Sequence, residues 1–128
     1  MRGSGRNAGG RVLIYRDMWI LNITFLTDQR AAKRTLEAIR RDVAPALLNR
    51  TKGGNPRLAL VRKMQGQCVG PVDPISLTFQ MEFAEEEYAA SAERESASVL
   101  AEYSAKAGDD ALTFTSLIET LPLGSSET

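Results

Sequence analysis

Six side chains have the type and spacing to hold a small polar molecule: Asn22, Thr24, Arg62, Thr78, Gln80 and Glu82. Asn22 and Thr24 alternate with Leu21, Ile23 and Phe25, while Thr78, Gln80 and Glu82 alternate with Leu77, Phe79, Met81 and Phe83. A period of two sends the polar members to one face of a sheet and the apolar members to the other. Amide, hydroxyl, carboxylate and guanidinium groups gathered on one face supply both donors and acceptors. A wet polar contact between two copies of the chain, with no ligand, is the simpler reading of the same residues and the preferred one.

Other chemistries lack their groups. The 128 residues include no histidine, which removes Ser-His-Asp and Cys-His catalysis and His-ligated metal. Cys68 is the single cysteine, so neither an internal disulfide nor a CxxC metal site can form. It reads as a small loop residue rather than a nucleophile, and a lone thiol fits a reducing compartment. Gly53-Gly54 precedes a strand, whereas phosphate-binding glycines open a helix. The acidic residues follow no Ca²⁺-loop spacing. No metal and no cofactor is expected, and no catalytic residue is assigned.

The elements that must position the polar residues follow from periodicity. Ile20 to Leu26 alternates as a half-buried strand, and Thr27-Asp28 offers a helix cap. Ala32, Leu36, Ile39 and Val43 form a helical stripe, with Pro45 predicted to kink or break the helix near Asp42. Thr51 to Pro56 reads as a turn and Arg57 to Met64 as a second strand. Ile75 to Phe83 is the strongest strand signal. Tyr88, Ala92, Val99 and Tyr103 make a second helical stripe, interrupted at Glu95 or Ser96, and Gly108 suits its C-terminal cap. Ala111 to Leu121 closes as a fourth strand with apolar residues on both sides. It would present either Thr113, Thr115 and Leu117 or Leu112, Phe114, Ser116 and Ile118 beside the polar residues.

The order β-α-β-β-α-β is that of a ferredoxin-like α+β fold. One four-stranded antiparallel sheet with both helices on one face is its economical form. The expected domain spans 18–122, preceded by a Gly- and Arg-rich extension over 1–17 and followed by a polar tail over 123–128. Within the extension, Val12 to Tyr15 could add a short edge strand.

Three stretches resemble the DUF4286 family, a bacterial family with no established activity. They are Met18 to Phe25, Asp42 to Leu48 around Pro45, and Ala111 to Leu121. The resemblance covers about Met18 to Leu121. It implies a ferredoxin-like fold of the dimeric α+β barrel type. The family's histidine before its Ile-Pro corresponds to Val43 here, and its helix tryptophans fall near Leu36 and Ile39. A site that needed that histidine is lost in this chain.

Net charge is zero, but it is split along the sequence. Residues 1–63 carry 14 Lys/Arg and 4 Asp/Glu, while residues 64–128 carry 2 and 12. A basic and an acidic helix lying side by side account for part of this, and contacts between molecules would be salt-sensitive. The preferred reading is a self-associating, non-enzymatic cytoplasmic domain, a homodimer through the open sheet face that can hold a small ligand in its cleft. The alternative is a cofactor-free enzyme similar to monooxygenases of this fold, with Glu82 as base and Tyr88 or Tyr103 as proton donor. RNA binding is disfavoured, because the third-strand aromatics share the apolar face and Glu82 would repel phosphate. No apolar run approaches the roughly 18 residues of a membrane span.

Overall fold

The structure, a computed structural model, describes residues 18–62 and 74–124. The 1–17 extension, Cys68 and residues 125–128 lie outside the described residues. The elements run β1 (Trp19–Thr27), α1 (Ala32–Ala38), a π-helical turn (Ile39–Val43), α2 (Ala44–Arg50), β2 (Asn55–Leu60), β3 (Ile75–Phe83), α3 (Glu86–Ala107) and β4 (Leu112–Glu119). The sheet order is β2-β3-β1-β4, every pair antiparallel. This is the ferredoxin-like arrangement that the element order predicts.

The strictly alternating strands take the two central places, where one face is fully covered. Leu21, Ile23, Phe25, Leu77, Phe79, Met81 and Phe83 are buried beneath the helices, and Ile75 at the strand end is half-buried. Each such side chain contributes about 1.5–3 kcal/mol relative to exposure. Phe25 meets Tyr103 of α3 edge-on, with ring centres 5.4 Å apart.

The first helical segment buries Ala31, Thr35, Ile39, Val43 and Leu47. The expected stripe of Ala32, Leu36, Ile39 and Val43 is therefore corrected by one position at its start, with Ala32 and Leu36 only half-buried. A strict spacing of four overshoots a 3.6-residue turn by about 40° per step, and a widened turn takes part of that back. The Ala44 N–H reaches the carbonyl of Ile39, five residues back, immediately before Pro45. Proline supplies no N–H and crowds the carbonyl four residues earlier, so the wide turn accommodates it and the helix continues to Arg50. Asp28 Oδ1 accepts the Ala31 N–H at 2.9 Å in the turn before α1, which begins at Ala32 rather than beside Thr27-Asp28 and has no side-chain cap at Ala31.

β2 is an outer strand and begins at Asn55, earlier than the expected Arg57. Pro56 looks like a turn residue by type, yet an edge strand tolerates a missing N–H. The strand ends at Leu60, and the Val61 N–H still reaches the Ser76 carbonyl at 3.0 Å. Met64, its expected end, is outside the described residues. β4 is two residues shorter at the C-terminal side than expected and one at the start. Gly108 takes φ 61° and its N–H closes α3 onto the Ser104 carbonyl at 3.0 Å.

Candidate functional site: the uncovered sheet face

Both helices pack on one side, so among the described residues no helix covers the opposite side of the sheet, although Ser76 at the β3 end of that face is buried. Pairing register assigns its residues. Asn22 faces Gln80 and Ser116, Thr24 faces Thr78 and Phe114, and Ile20 faces Glu82 and Ile118. On β2, Asn55 faces Glu82, Arg57 faces Gln80 and Ala59 faces Thr78. Asn22, Thr24, Thr78, Gln80 and Glu82 are therefore brought together, as their alternation predicts. Of the two sets open to β4, Leu112, Phe114, Ser116 and Ile118 share this face.

Arg62 is not part of the group. It lies past the end of β2, on the rim of a helix-side groove of about 490 Å³ beside Leu36, Leu60, Ile75 and Leu77. Arg57 supplies the guanidinium instead. Positions 57 and 62 have opposite parity along an extended chain, so only one can reach a given face.

The polar residues form a directed chain of hydrogen bonds across three strands. Arg57 Nε donates to Gln80 Oε1 at 2.8 Å, and Arg57 Nη2 lies 2.9 Å from Glu82 Oε2. Gln80 Nε2 donates to Asn22 Oδ1 at 2.7 Å, and Asn22 Nδ2 donates to Thr24 Oγ1 at 3.2 Å. Arginine only donates, so Gln80 must turn its oxygen toward β2 and its amide hydrogens toward β1. Asn22 is oriented in turn for the same reason. The Thr78 hydroxyl is spent separately on the Ala59 carbonyl at 3.5 Å.

Beside this polar ladder lies an apolar strip. Leu112, Phe114 and Ile118 of β4 are 64%, 53% and 40% exposed. Half-buried Ile20 and Leu26 of β1 continue it inward. The face is thus polar over β2 and β3, mixed over β1, and apolar over β4.

The base-and-donor pair considered from sequence is not assembled. Glu82 opens onto the uncovered face and is paired with Arg57. Tyr103 lies among the buried residues on the helix side, and Tyr88 packs against that core and lies under the Lys52 ammonium at 5.5 Å. The sheet itself separates carboxylate from phenols. Burial pushes the Tyr103 phenol up, with the nearby Thr35 hydroxyl offsetting part of the shift.

A second groove, of about 330 Å³, runs between the first helical segment and α3. Its charges are largely matched internally. Arg34 grips Asp110 through Nη2 at 2.8 Å and Nε at 3.1 Å, and Arg41 lies 3.1 Å from Asp42. Arg50 reaches Glu102 at 3.5 Å, one exposed pair that joins the basic and acidic helices. Among the described residues, no cluster of three potential metal ligands is present. No helix among them is long and apolar enough to cross a membrane.

No protein-family model and no curated protein matches the chain. Solved structures do. A de novo designed protein, Foldit4, aligns with a TM-score of 0.51 and 12% identity, over 81% of this chain and 99% of its own. A Nitrosomonas europaea protein assigned to antibiotic biosynthesis monooxygenases aligns with a TM-score of 0.50 and 10% identity, over 89% of this chain and 98% of its own. At such identities the likeness is one of fold: this chain shares its ferredoxin-like α+β architecture with both a designed scaffold and a monooxygenase-type protein.

Proposed function

We propose that this chain works as a homodimer in which two uncovered sheet faces meet and enclose a small-molecule cleft, without catalysing a reaction. The carrying observation is the exposed apolar strip of Leu112, Phe114 and Ile118. Exposed apolar patches of this kind mark interaction sites. Four strands spaced at about 4.8 Å, of six to nine residues each rising about 3.3 Å, give a face of about 19 Å by 20–30 Å. Side-chain relief raises its accessible area toward the roughly 800 Å² per partner of a specific interface. A second copy is the natural occupant, because the face carries its own counter-charges in Arg57 and Glu82 and no net charge to repel its like. Strips meeting strips leave the two polar ladders facing each other across the remaining space, which supports a cleft there.

Sedimentation velocity at rising protein concentration tests the proposal. A dimer mass at micromolar concentration is the expected result. A single monomeric species throughout contradicts it.

The assignment of the Nitrosomonas europaea protein supports a second reading, cofactor-free oxidation in the same cleft. Such a reaction needs a base for the substrate proton. Glu82 is held by Arg57 at 2.9 Å, which ties its carboxylate into an ion pair and leaves binding as the better reading. Oxygen uptake in the presence of phenolic substrates would reverse that preference.

A further inference from the structure

The sense of the hydrogen-bond ladder determines what it can offer a ligand. It starts at a group that only donates, Arg57, and each amide passes the same sense on, through Gln80 and Asn22. The Thr24 hydroxyl is the last acceptor, which leaves its own hydrogen for another partner. Chains of this kind polarise along their length, so the terminal hydroxyl is a better donor than an isolated threonine. Glu82 neutralises Arg57, so the ladder carries no net charge to attract an anion. Thr24 also sits directly opposite Phe114 on β4, at the boundary between ladder and apolar strip.

We infer that Thr24 is the ligand-recognising donor of this face, and that the ligand is a flat apolar molecule bearing a neutral carbonyl oxygen. The carbonyl accepts from the Thr24 hydroxyl, and the apolar body lies on the ladder side of Phe114 beside Leu26, while the strip itself meets the partner copy. A carboxylate gains little here because the guanidinium is already paired. A plain hydrocarbon leaves the hydroxyl unsatisfied in the closed cleft, which costs affinity. The inference rests on the paired-face reading above, since one open face alone does not exclude water.

The test compares 2-acetylnaphthalene with 2-ethylnaphthalene, which differ at one oxygen. Binding is followed by fluorescence on the full chain, with the mass of every protein measured under the same conditions. The wild-type chain binds the ketone about tenfold more tightly, the equivalent of one hydrogen bond of roughly 1.4 kcal/mol. Thr24→Val abolishes the preference, Thr24→Ser keeps it, and Arg57→Met reduces it by removing the group that orients the ladder. Equal binding of the two probes by a dimeric wild type overturns the inference and leaves the dimer standing. A preference that survives in Thr24→Val does the same. A monomeric wild type overturns the inference together with the reading it rests on.

Discussion

Thr24 and Phe114 lie directly opposite each other on neighbouring strands, joining the end of a hydrogen-bonded ladder to an exposed aromatic ring. Each belongs to a different class of contact. Thr24 ends a chain of amides that begins at Arg57, and Phe114 belongs to an exposed apolar strip. On the proposed paired-face reading, such a face orients a guest at one side and excludes water at the other. The four-stranded order supplies it by placing β4 next to β1 rather than next to β3.

The turn into β2 is closely packed. A Cβ added to Gly54 would stand 2.5 Å from Met81 Cε and 2.9 Å from the Phe83 ring. Both side chains are core residues, so they have little room to yield. Gly54→Ala is expected to destabilise the fold by about 1–3 kcal/mol. Urea unfolding checks this, and an unchanged midpoint contradicts it.

Arg34 and Asp110 tie the first helix to the start of β4. The guanidinium hydrogen bond holds the Asp110 carboxyl below its usual value of 3.8, with partial burial opposing the shift. A carboxylate held low contributes stability above its unfolded value, and that contribution is lost as pH falls from about 3.8 through the folded value. Asp110→Asn should lower the melting temperature slightly at neutral pH and flatten the acid limb of the profile. High salt should shrink the difference, since Arg34 is half exposed. Thermal melts from pH 2 to 7 of both proteins, at low and high salt, decide it.

The Tyr103 hydroxyl is buried, and although the Thr35 hydroxyl lies near it, that hydroxyl is turned to Thr27 and no described group meets Tyr103 in hydrogen-bonding geometry. An unsatisfied buried hydroxyl is a cost to the folded state. Tyr103→Phe keeps the ring against Phe25 and is expected to leave stability unchanged or to raise it by up to about 1 kcal/mol. Because burial raises the phenol, it should ionise above the free-tyrosine value, and the fold should lose stability once pH passes that value. Alkaline absorbance titration with a parallel stability profile checks both. A clear loss of stability in the variant contradicts the first expectation.

Much of this was legible in the residues, for identifiable reasons. β1 from Leu21 to Phe25 and β3 from Leu77 to Phe83 alternate because each has one covered face, and alternation is the signal of that condition. Five of the six proposed polar residues meet on the open face for the same reason. Arg62 does not, because parity on β2 depends on where that strand pairs, and pairing of Asn55 with Glu82 is a long-range fact. The same ambiguity hid Arg57, although its position beside Pro56 on an edge strand was the available clue. Thr35 was missed as a core residue because its type is polar, and its hydroxyl finds Thr27 at 3.4 Å only after the helix docks. Ser96, the break in the second stripe, is buried with its hydroxyl donated to the Glu93 carbonyl at 2.6 Å. Glu82 and the tyrosines looked like partners because spacing along a chain does not say which side of a sheet a helix covers.

The central claim is that the uncovered face is closed by a second copy. Sedimentation velocity of the wild type beside Phe114→Arg tests it most directly, because Phe114 is 53% exposed and its replacement leaves the monomer core intact. The account predicts a dimer for the wild type and a folded monomer, with an unchanged circular dichroism spectrum, for the variant. Equal masses for the two proteins, whether both dimeric or both monomeric, would contradict it.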